Sequence, residues 1–297
     1  NLRHVCDNLL EYRIRRDDSI IKLFFFRLLG RRRNRGPIVG LRAPLQLREI
    51  ALRYVDYVCP SQCQEQGGIP SIREEVRYVD VADEELAAYI KLLRKHRKRK
   101  DTLFFEDSLE DESLESACKR MSDLRQCLLC CNSSPTVKIR EIVATTREFM
   151  NSAENRILIF SNYVSKGVDS ISYALKVNSL AHHVYTGSVN KAAREKIVQD
   201  FTSGVIRILV LSPVGHEGLD LVGASHVLIA DPHYNPERTH QLIARATRSG
   251  GSVKVVEVIH FLSRSSELKN GTIDEVIWRI AQRKSHINEM ISSLLKC

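Results

Sequence analysis

From about Pro135 to the C-terminus, short apolar runs alternate with amphipathic stretches. The apolar runs are too short for helices and are bounded by polar turns. They predict strands over Arg156–Phe160, His183–Tyr185, Ile206–Leu211, His226–Ala230 and Val253–Ile259. Helices are expected between them. Over Lys191–Thr202, the residues Ala193, Ile197, Val198 and Phe201 form one apolar stripe suited to covering a sheet face. A second helix is predicted over Glu237–Arg248. A third spans Ile273–Leu295, with Ile273, Ile277, Ile280, Ile287, Ile291 and Leu294 at heptad-like spacing, and is expected to pack back across the domain. Strand and helix in repeated alternation define an α/β fold on a mainly parallel sheet flanked by helices.

The first half reads differently, as a mainly helical segment. Leu86, Ala87, Tyr89, Ile90 and Leu93 fall at helical spacing behind Asp83, a candidate N-cap. That helix runs into the basic stretch Arg94–Lys100. The acidic residues Glu106, Asp107, Glu110, Asp111, Glu112 and Glu115 follow, so residues 95–115 are expected to form a mobile, charge-segregated insertion. Upstream, the run Leu23–Leu29 precedes the cluster Arg31-Arg32-Arg33-Asn34-Arg35. Those arginines either touch phosphate or are simply solvated. The apolar run is too short to span a bilayer and is expected to pack against a lobe outside this chain. The division expected is a helical linker or protrusion over 1–135, carrying a remnant of a preceding lobe, and a sheet domain over 136–297.

Composition narrows the class. A chain of 297 residues with 43% hydrophobic content can bury a real core. It contains no apolar run long enough for a membrane span and no signal-peptide pattern, so an intracellular protein without a membrane partner is expected. The formal net charge of +9 favours an anionic partner without naming it. Because the chain opens on Asn1 within an apparent helix, a fragment or processed product is expected. The eight cysteines are irregularly spaced, and reduced thiols are the default. Cys59 and Cys63 with Cys127 and Cys130 offer four thiolates for zinc. The other reading places the second pair on an apolar helix as small hydrophobes. His182, His183 and His216 read as loop or surface residues.

The densest candidate chemistry is Gln241-Leu-Ile-Ala-Arg-Ala-Thr-Arg248, in which Gln241, Arg245 and Arg248 recur at i, i+4 and i+7. On a helix these share one face. Guanidinium groups held there can reach a transferring phosphoryl group in a facing domain and neutralise its developing charge, as arginine fingers do. A solvated basic face is the plainer alternative. Upstream, Ile208–Leu211 runs into Ser212-Pro-Val-Gly215-His-Glu-Gly218-Leu-Asp220, and His226–Ala230 runs into Asp231-Pro-His-Tyr-Asn235-Pro236. Several strand ends thus offer polar groups to one edge, where ligands bind in parallel sheets. Asp83-Glu84-Glu85 is assigned to helix initiation, since no buried strand precedes it.

The chain resembles the superfamily-two helicases, and among them the Swi/Snf-related DNA translocases. The resemblance rests on Ile69–Val81, Met121–Cys127, Arg156–Asn162, Tyr185-Thr186-Gly187, Ser212–Leu221, Asp231–Pro236 and Gln241–Arg248, in that order, and on Val253–Ile259 with Thr272–Ile277 at the end. It implies a C-terminal RecA-like lobe. By the resemblance, Gln241, Arg245 and Arg248 face bound ATP, Gly218 and Asp220 belong to the motif coupling ATP to nucleic acid, and Ser161, Asn162, Thr186, Gly187 and Ser212 line the strand-binding groove. It further implies ATP and Mg²⁺ held mainly by a first lobe, double-stranded DNA as partner, and a nuclear or viral setting. Small and hydroxylated residues suit backbone-phosphate contacts, which are sequence-independent. The chain departs from the family pattern at Ala244, usually Gly, and from the Swi/Snf branch at Asp220 and Gly251.

The sequence has no G-x-x-x-x-G-K-[ST] loop and no Gly-Lys pair at all, so the ATP phosphates are expected to be cradled elsewhere. Two other readings stand beside the translocase: a catalytically inactive nucleic-acid or protein-binding module, and a strand-separating helicase of viral type.

Overall fold

The structure is a computed structural model that describes residues 69–98, 122–213, 221–248 and 253–295. Its centre is a six-stranded sheet. The strands are β1 (Ser71–Asp80), β4 (Ile157–Phe160), β5 (His183–Tyr185), β6 (Ile208–Leu211), β7 (His226–Ile229) and β8 (Val255–Arg264), in spatial order β1-β8-β7-β4-β6-β5. Every pairing is parallel. A second, two-stranded ribbon pairs β2 (Cys130–Cys131) with β3 (Ser134–Pro135).

The central strands are apolar throughout because both faces are covered. Side chains alternate between two cores. Ile157, Ile159, Ile208 and Val210 enter one, with Ile139, Ile142 and Val143 of helix α3 (Val137–Phe149) and Ile171 and Leu175 of α4 (Asp169–Val177). Leu158, Phe160, Leu209 and Leu211 enter the other, with Phe201 of α5 (Lys191–Thr202) and Leu242, Ile243 and Ala246 of α6 (Pro236–Ala246). This two-residue alternation is what sandwiches the sheet between helical layers. A third cluster joins Tyr89 of α1 (Asp83–Lys98), Leu124 and Cys127 of α2 (Ser122–Cys127), and Ile273, Ile277 and Ile280 of α7 (Ile273–Leu295). The final helix therefore packs back across the domain through its first turns.

The edge strand β1 is absent from the sequence-based expectation. It reads Ser-Ile-Arg-Glu-Glu-Val-Arg-Tyr-Val-Asp, and all but Val79 are exposed or half-buried, so no apolar run announces it. Pairing with β8 over ten residues, Ser71↔Val255 to Asp80↔Arg264, also carries β8 past its expected end at Ile259. Because β1 belongs to the sheet, the sheet begins N-terminal to the boundary expected at 136. The strand before Asp83-Glu84-Glu85 is thus real, although exposed. Helix α1 begins where expected, but its cap is corrected: the Ala82 carbonyl accepts the first bond from Leu86 N, 2.8 Å, so Ala82 is the N-cap and Asp83 is the first helical residue. Glu85 also serves a second helix, since its Oε1 accepts from Val137 N at 2.8 Å and so caps α3.

The cysteine segment is only partly helical. Helix α2 stops at Cys127, and Cys130 and Cys131 lie in the ribbon, turned by Asn132 and Ser133 at φ 48° and 64°. Burial pushes the Cys127 thiol up to about 12, which keeps it protonated beside Cys131. Cys59 and Cys63, the charged insertion from residue 99 onward and the arginine cluster at 31–35 lie outside the described residues.

Candidate functional site

Since the strands are parallel, β4, β5, β6 and β7 release the chain at one edge of the sheet. The residues emitted there are Ser161, Thr186, Ser212 and, two residues beyond the end of β7, Asp231. All four are at most 5% exposed. Asp231 is the hub. Its Oδ2 accepts from Ser161 Oγ at 2.6 Å, its Oδ1 from Asn162 Nδ2 at 2.6 Å, and both oxygens from Asn162 N at 3.1 and 3.0 Å. Arg125 of α2 approaches the same carboxylate, Nη2 to Oδ1 3.7 Å, while donating to the Pro232 carbonyl at 2.5 Å. Ser161 Oγ in turn accepts from Tyr163 N, 3.2 Å.

Neighbouring strand ends continue the edge. Ser212 N donates to the Tyr185 carbonyl at 3.0 Å, and its buried Oγ has no hydrogen-bond partner. Thr186 and Ser188 share a hydroxyl pair at 2.8 Å. The Gly187 carbonyl accepts from Arg194 Nη2 at 2.6 Å, and that guanidinium lies over the Tyr185 ring, 5.5 Å from its centroid. The structure therefore brings Ser161 and Asn162 together on one carboxylate and sets Thr186, Gly187 and Ser212 at the adjoining strand ends.

Helix α6 opens on the Asn235 cap, whose side chain accepts from Glu237 N at 3.1 Å, with Pro236 at the first turn. Burial of Leu242, Ile243 and Ala246 fixes its rotation, so Gln241 is exposed and Arg245 half-buried. The Arg245 carbonyl accepts from Leu221 N, 3.2 Å, tying the loop after β6 to this helix. One expectation is corrected here. Arg248 does not continue the helical face, because α6 ends at Ala246 and Thr247 turns out of it at φ −102°, ψ 25°. The Ile243 carbonyl accepts from both the Thr247 hydroxyl and Thr247 N, each at 3.1 Å, in the last turn. Gly218 and Asp220 lie outside the described residues.

Asp231 and Arg125 carry the geometry of this edge, yet sequence reading gives neither a role. The available signal was an Asp just past a buried apolar strand, a position that requires a partner. Among the described residues, no three His, Cys, Asp or Glu side chains gather as a metal site. No helix of the described residues is long and apolar enough to cross a membrane.

Residues 137–250 match the family of the helicase conserved C-terminal domain. Protein CHROMATIN REMODELING 19 of Arabidopsis thaliana is 31% identical over 46% of this chain and 17% of its own length. The DNA repair and recombination protein RAD54-like of Mus musculus is 28% identical over 52% of this chain and 19% of its own. A protein of Acanthamoeba polyphaga mimivirus, named as an ATP-dependent RNA helicase, is 26% identical over 50% of this chain and 34% of its own. The matched region thus spans only a minor part of each of these relatives. In fold, the C-terminal part of the Fun30 ATPase domain superposes with a TM-score of 0.54 at 15% identity, covering 76% of this chain and 96% of that one. The Sulfolobus solfataricus SWI2/SNF2 ATPase C-terminal domain gives 0.52 at 18%, covering 74% and 90%. Residues 137–250 are thus similar to helicase C-terminal domains, and the chain has the RecA-like fold of the SWI2/SNF2-type ATPase C-terminal domains on which it superposes.

Proposed function

We propose that this chain is the C-terminal half of an ATP-dependent DNA translocase of the Swi/Snf-related type. In this reading another lobe cradles the ATP phosphates and Mg²⁺, and this one closes on the nucleotide with Gln241, Arg245 and Arg248. Gly218 and Asp220 couple nucleotide to strand, and Ser161, Asn162, Thr186, Gly187 and Ser212 hold the backbone of double-stranded DNA. The observation that carries the reading is α6. Its apolar face is locked into the core, while Gln241 stands exposed and Arg245 half-buried one turn on. A guanidinium on so fixed a base is preorganised to meet charge developing across a domain interface. The absence of any Gly-Lys pair accords with phosphates held elsewhere. The net charge of +9 suits a polyanionic track.

The test is DNA-stimulated ATP hydrolysis by the full-length gene product, with Arg245→Ala and Arg248→Ala beside it. Each variant is expected to lower turnover by about 10³-fold with folding intact. Unchanged turnover in both sinks the arginine-finger assignment. No turnover at all from a well-folded full-length protein points instead to a binding module. ATP-driven displacement of a strand from a duplex favours the strand-separating helicase.

A further inference from the structure

Arg125 lies on the short helix α2, outside the sheet, yet its guanidinium reaches into the strand-end network. It is 5% exposed, donates to the Pro232 carbonyl, stands 3.7 Å from Asp231 Oδ1 and lies over the Tyr163 ring at 5.0 Å from the centroid. Asp231, fully buried at its side chain, spends both oxygens on Ser161 and Asn162. A buried carboxylate keeps its charge only where a cation and hydrogen-bond donors compensate it. Among the described residues Arg125 is the cation within 4 Å of Asp231, so the turn Ser161–Tyr163 takes its shape from a side chain of another element.

We propose that Arg125 is a positioning residue for DNA binding. Through Asp231 and Tyr163 it sets the Asn162 side chain in the orientation that grips the strand. The inference rests on the reading of Ser161 and Asn162 as strand-binding residues. It makes α2 part of the grip without requiring any contact between α2 and DNA. Arg125 Nε, buried and without a hydrogen-bond partner, fits a side chain placed for its reach to this turn more than for its own satisfaction.

The test titrates a fluorescent DNA duplex with the 297-residue chain. It compares Asn162→Ala, Arg125→Met, R125M/D231N and R125M/N162A, and the side-chain amide resonance of Asn162 is followed by NMR. R125M/D231N removes both charges and so guards against unfolding around an unpaired carboxylate. Asn162→Ala and Arg125→Met are each expected to weaken binding about tenfold. R125M/N162A should be no weaker than Asn162→Ala alone, because both changes remove one contact. R125M/D231N should shift the Asn162 amide while resonances of β1 stay in place. If Asn162→Ala weakens binding and the Arg125 variants do not, or if their effects add in full, the positioning role is overturned and the strand-grip reading survives. If Asn162→Ala leaves binding unchanged, the strand-grip reading fails and the positioning role fails with it.

Discussion

Lys138 and Asp274 are bonded Nζ to Oδ2 at 2.7 Å with both side chains sealed from solvent, 1% and 0% exposed. The same Oδ2 accepts from Ser263 N at 3.1 Å, so one carboxylate ties α3, β8 and the first turn of α7. Its other oxygen is buried without a hydrogen-bond partner. Removing the lysine would strand a charge in the interior. Lys138→Met is expected to cost about 3–5 kcal/mol in urea denaturation. K138M/D274N, which leaves no charge behind, should recover part of that loss. A Lys138→Met protein within about 1 kcal/mol of wild type would show that the pair contributes little.

The start of α7 is held by a reciprocal cap. Thr272 Oγ1 donates to the Ser263 carbonyl at 2.5 Å and accepts from Glu275 N at 3.4 Å, while Thr272 N donates to Glu275 Oε2 at 2.7 Å. This is a capping box. The Tyr89 hydroxyl also accepts from Ile273 N, 2.8 Å. Thr272→Val keeps the shape and removes the hydroxyl, so it should cost about 1–2 kcal/mol. Tyr89→Phe should cost about 1–3 kcal/mol by orphaning a buried N–H. If both variants melt with wild type, packing in the third core, not capping, holds this helix.

Gly167 sits in the π-helical turn Val164–Val168 directly against the strand-end network. A Cβ there would fall on Ser161 Oγ and come within 2.8 Å of Ser161 Cβ. Ser161 cannot yield easily, since its hydroxyl is bound to Asp231 and accepts from Tyr163 N. Gly167→Ala is therefore expected to destabilise by about 1–3 kcal/mol and to weaken DNA binding. Gly204, at φ +84° with open space around it, is the contrast. Gly204→Ala should cost about 1–2 kcal/mol from backbone strain alone and leave DNA binding unchanged. Equal DNA binding by both variants would break the link between the π-turn and the grip.

What was legible in the sequence follows burial. Ile157–Phe160, Ile208–Leu211 and His226–Ile229 are covered on both faces, so their composition announces them as strands. β1 is an edge, where Arg73, Glu74, Glu75 and Arg77 tolerate water, and only its partner β8 makes it a strand. The face carrying Gln241 and Arg245 was legible because Leu242, Ile243 and Ala246 set the rotation of α6. Arg248 was not, because the helix ends at Ala246, where the Arg245 carbonyl accepts from Leu221 N, a tertiary contact that spacing does not encode. Arg125 and Asp231 are 106 positions apart, a contact that only the fold creates.

Acid should lower the stability of this protein in two pH windows with separate owners. His226 stacks on Phe149 at 3.8 Å, with Nε2 3.4 Å from Glu257 Oε2. Burial holds its pKa below the ordinary 6.5, and Glu257 offsets only part of that. The unfolded chain then takes up the proton more readily than the folded one. The contribution of His226 is complete above pH 6.5 and is lost as pH falls from there toward the folded pKa. Glu74 is held below its ordinary 4.5 by the hydrogen bond with His260, 3.2 Å. Its contribution is present above 4.5 and disappears as pH falls through the lower folded value. His226→Phe, which keeps the stack on Phe149, should flatten the fall in melting temperature that begins as pH drops below the ordinary 6.5. Glu74→Gln should flatten only the fall below about pH 4.5. The assignment fails if His226→Phe retains the wild-type slope in the upper window.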